Sequence, residues 1–245
     1  MLAELPTRAD REPVVGAGMG GDETTAIDAA AERVVLARFG HVDDVTVVSE
    51  EVGKLGDGRT YVVVDPIDGS LNAKRGIGFF SLSVAVASGP TMGDVEFGFV
   101  HDFGTGEEWT AVRGGGAYLN GKALADERPK EQIEILAFEA TRTASVAEKA
   151  AAVVGLAYRL RIMGSLALSL CHLAAGRVDA VCSLKPARAV DIAAAQLLVR
   201  ERGLAIDLPE APPFASAPLD VRPRSRVVAA GTSEVCRRLT QALLA

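Results

Sequence analysis

The chain has 245 residues, 49 % hydrophobic and 24 % charged, with a formal net charge of −6. Enough apolar surface is present to offset the entropy of ordering, so a largely disordered chain is excluded. The acidic balance speaks against a nucleic-acid or anionic-membrane surface spread over the whole protein, and no run of about 18 apolar residues is available to cross a bilayer.

Residues 1–21 read as an irregular, polar lead-in with Pro6 and Pro13, unlike a signal peptide, closed by Gly16, Gly18, Gly20 and Gly21. An alanine-rich helix is predicted over 25–38, capped by Thr25, with Ile27, Val34 and Val35 on its apolar face. Strands are predicted at 45–48 and 60–64, with a mobile Gly-rich loop between them. The segments 79–87, 95–102, 107–112 and 116–119 read as successive antiparallel strands joined by Gly and Pro turns. From about residue 130 the pattern alternates. Strand-like pieces at 133–138, 178–183 and 226–230 interleave with helical ones at 145–154, 165–175, 190–201 and 232–244, and a Pro-rich connector covers 208–220.

Cys171, Cys182 and Cys236 match no zinc pattern or disulfide framework, which predicts buried thiols in a reducing, cytoplasmic compartment. His41, His101 and His172 stand apart from one another, so the chemistry is expected to run on carboxylates.

Four segments carry that expectation. In Val62-Val63-Val64-Asp65-Pro66-Ile67-Asp68-Gly69-Ser70 a valine strand ends in two carboxylates three residues apart. Such a pair repels itself unless a cation lies between, and a hard divalent ion would add the Ile67 carbonyl as a ligand. A Pro-Gly turn with solvated aspartates fits that segment equally well. Glu50-Glu51-Val52-Gly53 ends a second strand. Asp191 sits at a helix start, where a first-turn aspartate is favoured by the dipole alone. Arg161-Ile162-Met163-Gly164-Ser165 runs from a strand into a helix and presents N–H groups that suit an anion.

In this order the four segments resemble the inositol monophosphatase family of Mg²⁺-dependent sugar phosphatases, whose pattern is Glu-Glu, Asp-Pro-Ile-Asp-Gly-Ser/Thr-x-Asn, Arg-x-x-Gly-Ser/Thr and Asp-x-Ala. Here these are Glu50-Glu51, Asp65 through Asn72, Arg161 through Ser165, and Val190 through Ala193, preceded by Asp22-x-x-Thr25-x-x-Asp28. Gly116-Ala117-Tyr118-Leu119-Asn120-Gly121 and Arg188-Ala189-Val190-Asp191 look like the archaeal-type branch, which combines fructose-1,6-bisphosphatase with inositol-1-phosphatase activity.

The resemblance implies an α+β fold, a layered αβαβα sandwich with an antiparallel N-terminal sheet and a mixed C-terminal one. It implies two halves, 1–125 and 126–245, with the site in the cleft between them. Glu50, Asp65, the carbonyl of Ile67, Asp68 and Asp191 would hold two or three Mg²⁺ ions, for which Mn²⁺ could substitute. Asp28 and Ser70, with Glu50, would handle the attacking water. Asp68, Gly69, Ser70, Gly164 and Ser165 would line the substrate phosphate, and Arg161 and Arg188, more weakly Lys185 and Arg159, would meet a second phosphate or a polyol hydroxyl.

A small phosphate ester is the expected partner, with no nucleic acid and no membrane. A homodimer is expected from an apolar face that the short lead-in leaves uncovered. Two other readings stand beside this one: a 3′-phosphoadenosine or NADP-type nucleotide phosphatase, and a non-catalytic binder that keeps the fold. Gly16-x-Gly18-x-x-Gly21 has dinucleotide-fingerprint spacing but lacks a convincing preceding strand.

Overall fold

The computed structural model describes residues 3–39, 42–125, 127–130, 132–139 and 142–244, so His41 lies outside the described residues. Eight strands form the first sheet, in the spatial order Lys122–Ala123, Gly116–Leu119, Glu108–Val112, Val95–Asp102, Ser81–Ala87, Thr60–Asp68, Val45–Ser49 and Gly53–Leu55. All neighbours are antiparallel except Val45–Ser49 and Thr60–Asp68, which run parallel. The expected antiparallel sheet therefore carries one parallel pair.

Five strands form the second sheet, in the order Ala157–Arg161, Ile133–Glu139, Ala180–Ser183, Val228–Ala230 and Ala205–Asp207. Its first two pairings are parallel and its last two antiparallel, the mixed arrangement expected.

Helices Leu166–Ala174 and Ala195–Glu201 fill the space between the sheets. Leu168, Leu170, Leu173, Leu197 and Leu198 are wholly enclosed there with Trp109 and Met92. Val235, Cys236, Leu239 and Leu243 of Ser233–Leu244 cover the far face of the second sheet. Val35 of Ala26–Phe39 packs on Val62 and Val64 on the far face of the first. The five layers are thus helix, sheet, helix, sheet, helix, with the central strands packed against helices. All three cysteines are buried and free.

Four local expectations need correction. The lead-in is not irregular throughout. Arg8–Arg11 forms a helical turn, and Val14–Ala17 pairs with Glu23–Thr25 as a hairpin. Val14–Ala17 is exposed along its whole length, so no alternating burial pattern marks it. The loop after Ser49 is an edge hairpin rather than a mobile segment. Gly56 closes it at φ +85°, where a Cβ would lie 2.5 Å from the Val45 carbonyl oxygen.

Val34 is half exposed, because Glu32 is buried instead and turns the packed face of its helix. Its carboxylate accepts the Ser49 hydroxyl at 2.6 Å and the Val52 N–H at 3.3 Å. Finally, the strand that begins at Thr60 does not stop at Asp65-Pro66 but runs to Asp68 through a bulge. A proline with no N–H is tolerated at such a point.

Candidate active site and metal centre

Three valines buried on both faces make Thr60–Asp68 a central strand, and its end delivers Asp65 and Asp68 to a cavity of about 290 Å³. Asp65 is 1 % exposed and accepts the Ile67 N–H at 3.0 Å across the bulge. Asp68 accepts the Ser165 hydroxyl at 2.6 Å and the Ala167 N–H at 2.7 Å, so the first turn of Leu166–Ala174 holds it. Gly69 follows at φ +94°, and a Cβ there would come within 3.0 Å of the Gly164 carbonyl oxygen. Only glycine fits that turn with so close a neighbour. Ser70 then donates its hydroxyl to the Ile67 carbonyl at 3.0 Å.

Glu50, just past the Val45–Ser49 strand, and Asp191, in the helical turn Ala189–Ile192, complete the carboxylate group. Arg188 ties these two together. Its guanidinium bonds Glu50 through Nη1 and Asp191 through Nη2 at 2.8 Å, and its own N–H reaches Asp191 at 2.7 Å. Asp28 accepts the Thr25 N–H at 3.1 Å at the start of Ala26–Phe39. Thr25 also donates its hydroxyl to Asp28, and Thr24 donates its own to Glu51.

The electrostatics follow from burial. Glu50 is pushed up to about 7 by desolvation, and repulsion from Asp191 and Glu51 helps outweigh its Arg188 partner. Asp68 is likewise pushed up to about 7, by burial against the opposing Ser165 bond. Asp65 is raised well above the ordinary carboxylate value, by burial and then by Glu50, Asp68 and Asp191. Burial opposes the charge of Arg188, but Asp191 and Glu50 more than offset it.

Among the described residues no three acidic, histidine or cysteine side chains already gather their ligating atoms about one point. Arg188 stands between Glu50 and Asp191. The donor set is still the hard-oxygen one that divalent cations take, and its repelling, desolvated carboxylates fit added positive charge. Glu50, Asp65, Asp68 and Asp191, with the Ile67 carbonyl, could hold such an ion.

Of the residues singled out from the sequence, Asp28, Glu50, Asp65, Ile67, Asp68, Gly69, Ser70, Gly164, Arg188 and Asp191 line one cavity. Two do not. Ser165 is buried behind Asp68 and supports it rather than facing the cavity. Arg161 ends the edge strand of the second sheet, exposed, with its guanidinium on the Leu160 carbonyl at 2.9 Å. Arg159 likewise points away, stacked over the Tyr158 ring.

Sequence reasoning missed Glu139. This buried carboxylate on the cavity wall accepts the Gly164 N–H at 2.9 Å and the Ser169 hydroxyl at 2.6 Å. The signal was an acid closing the apolar strand Ile133–Glu139. The Gly16-x-Gly18-x-x-Gly21 spacing falls in the Val14–Thr25 hairpin and precedes no helix directly, so it lacks the context of a dinucleotide fingerprint.

The family model of the inositol monophosphatase family matches residues 7–244. The fructose-1,6-bisphosphatase/inositol-1-monophosphatase of Methanothermobacter thermautotrophicus is 35 % identical over 258 residues, covering 99 % of this chain and 91 % of its own length. A crystal structure of an inositol monophosphatase-fructose 1,6 bisphosphatase superposes with a TM-score of 0.83 at 30 % identity, covering 97 % of this chain and 92 % of the other. The bifunctional NADP phosphatase/NAD kinase of Methanococcus maripaludis is 30 % identical over 217 residues, 78 % of this chain but 38 % of that longer protein. The chain belongs to the inositol monophosphatase family, and in enzyme class it is a phosphatase.

Proposed function

We propose that the chain is a Mg²⁺-dependent phosphomonoesterase that hydrolyses small sugar or polyol phosphates, namely fructose 1,6-bisphosphate and inositol 1-phosphate. The observation that carries this reading is the gathering of Glu50, Asp65, Asp68 and Asp191 around one cavity, with the proton affinities of Glu50, Asp65 and Asp68 raised by desolvation and by their acidic neighbours. Bound there, two or three Mg²⁺ ions would screen the phosphate's charge, acidify a water and stabilise the leaving oxygen.

The chain's own residues supply the rest. Glu50, Asp65, Asp68, Asp191 and the Ile67 carbonyl hold the cations. Asp28 and Ser70 orient the attacking water, Asp28 as proton acceptor. Gly69 and Gly164 let bare backbone approach the phosphate, and Glu139 keeps the Gly164 turn in place from behind. Arg188, which pairs with both Glu50 and Asp191, would have to release Glu50 for a cation to bind there. The two halves, 1–125 and 126–245, each contribute one wall of the cleft.

The rival nucleotide phosphatase is favoured by the likeness to the NADP phosphatase protein. It is disfavoured by the cavity wall, where no aromatic side chain among the described residues offers a face for a base to stack on. A binder without catalysis would not need four buried carboxylates that repel one another. A cytoplasmic homodimer belongs to the same proposal, and sedimentation at tens of micromolar tests the dimer.

Phosphate release from both esters, with Mg²⁺, with EDTA and with Asp65→Asn, tests the central claim. Metal-dependent release from both, lost in the variant, is the expected result. No release from either while Mg²⁺ still binds would overturn it.

A further inference from the structure

Every side chain of the short helix Ser70–Arg75 has a place in the packing except two. Ser70 donates to the Ile67 carbonyl, Asn72 donates to the Phe79 and Met163 carbonyls at 2.8 Å each, and Ala73 is wholly buried. Arg75 pairs with Glu12 of the lead-in at 2.9 Å. Leu71 and Lys74 remain, and both lie with Ser70 on the wall of the cavity.

The helix is pinned from behind. Asn72 ties it to the segment before Gly164, and Arg11 donates to the Ala73 carbonyl at 3.2 Å. Lys74 stands one turn after Ser70, and residues four apart lie over one another on a helix face. Helical side chains lean toward the N-terminus, which directs the Lys74 stem back along the wall toward Ser70 and Gly69. Lys74 is half-buried, yet among the described residues its ammonium has no hydrogen bond and no ion pair. Lys185 and Arg188 on the same wall are engaged, the first with Asp22 and the second with Glu50 and Asp191.

An ammonium left unpaired on a wall that also carries Asp28, Asp65 and Asp68 is free to meet an incoming anion. In the phosphatase reading above, the reacting phosphoryl group lies against Gly69 and Ser70, at the foot of this helix. In the transition state charge is spread over the non-bridging phosphoryl oxygens, and a positioned cation there lowers the barrier. We propose that Lys74 is a further catalytic residue, whose ammonium meets a non-bridging oxygen of the reacting phosphoryl group beside Ser70. Lys74 forms and breaks no covalent bond and keeps its protons, so its contribution is electrostatic. The proposal rests on the phosphatase reading and deepens it. Because the phosphoryl group is common to every monoester, Lys74 serves fructose 1,6-bisphosphate and inositol 1-phosphate alike.

Three variants test this with two readouts. Lys74→Gln removes the charge at similar length, Lys74→Arg keeps it, and Arg75→Gln removes a charge from the same helix at the residue that pairs with Glu12. The first readout needs no turnover: inorganic phosphate is titrated calorimetrically into the protein in Mg²⁺. Lys74→Gln should bind it about five- to tenfold more weakly, for loss of a charge-assisted hydrogen bond. Lys74→Arg and Arg75→Gln should stay within about twofold of the unaltered protein. Circular dichroism melts establish that each variant is folded.

The second readout is kcat/KM for the two esters. Lys74→Gln should lose about 10–100-fold on each, less than the removal of a fully enclosed oxyanion donor, and the ratio between the esters should not move. Lys74→Arg should recover most of the loss. If Lys74→Gln behaves as Arg75→Gln does, Lys74 is background charge and the proposal falls. A drop in phosphate affinity with unmoved kcat/KM overturns the catalytic role, as does a Lys74→Arg no better than Lys74→Gln. A loss confined to fructose 1,6-bisphosphate also overturns it, since the ammonium would then meet the far end of the substrate. Failure of the phosphatase reading shows separately, as no release from either ester by the unaltered protein, and the phosphate titration then still decides whether Lys74 meets a bound phosphate.

Discussion

The two ends of the cavity are built in opposite ways. Asp65 and Asp68 sit on a central strand and are held by backbone N–H groups and the Ser165 hydroxyl, almost out of reach of water. Asp22 stands in the turn of an exposed hairpin, half exposed, and is held only by the charges of Lys185, Arg188 and Arg224. Bonds to backbone cannot be exchanged without unfolding a turn, whereas ion pairs at a half-exposed carboxylate can. A molecule that must keep its reacting centre fixed and still admit different ligands gains from this division.

The sharpest way to break the contrast is at the rigid end. Asp65→Asn should lower kcat/KM by about 10²–10³-fold, the scale of removing one preorganised electrostatic group. The same variant should melt higher than the unaltered protein in EDTA, because it removes a buried charge repelled by Glu50, Asp68 and Asp191. A lower melting temperature in EDTA would contradict the picture of a strained carboxylate group.

Ser165→Ala comes next. It leaves Asp68 with the Ala167 N–H alone and removes the bond from Leu168 N–H that caps the helix. Activity should fall about 10–100-fold, as when a partner that orients a metal ligand is lost. Stability should drop by about 1 kcal/mol, as for loss of a helix cap. Kinetics and a urea titration check the two effects separately.

A smaller effect is the pH dependence of the metal-free protein. Glu50 and Asp68, both raised to about 7, and Asp65, also raised, bind more protons folded than unfolded. Their contribution is therefore most favourable below the ordinary carboxylate value of about 4 and is lost as pH rises through about 7. Melting temperatures in EDTA should fall between pH 5 and pH 8, and Mg²⁺ should flatten that slope. A melting temperature that climbs over this range would refute the assignment.

The smallest effect belongs to Arg161→Gln. An exposed guanidinium bonded to a neighbouring carbonyl should change KM for either ester less than about twofold.

How much of this was legible in the sequence depended on how local the cause was. The Asp65 to Ser70 segment announces itself because one short stretch carries strand, carboxylates and turn. The antiparallel block from Ser81 to Leu119 was legible for the same reason, its alternation being set by nearest neighbours. Arg188 and Glu50 are 138 residues apart, and nothing in either segment says that they meet. Glu32 closes the spacing Asp22-x-x-Thr25-x-x-Asp28-x-x-x-Glu32 that looks like the family's first motif, but nothing in that spacing says it is buried, since its partners Ser49 and Val52 lie outside its helix. Arg161 shows the converse failure, in which a residue matches a pattern while its strand carries it to the sheet edge.

The bulge between Asp65 and Asp68 has a consequence for how the chain can change over time. Side chains alternate faces along a strand, so two residues three positions apart would point to opposite sides of the sheet. Asp65 and Asp68 pair instead with Ser83 and Ser81, which share a face, because the strand spends three residues where its neighbour spends two. The extra residue makes the parity right. Losing one residue between Asp65 and Asp68 would restore the regular two-position spacing and keep Asp68 on this face, but it would abolish the bulge across which the Ile67 N–H reaches Asp65. The connector at 208–220 is constrained in a different way, because Leu208, Ala217 and Leu219 are buried in the core, so in neither segment is length free to drift in a working descendant.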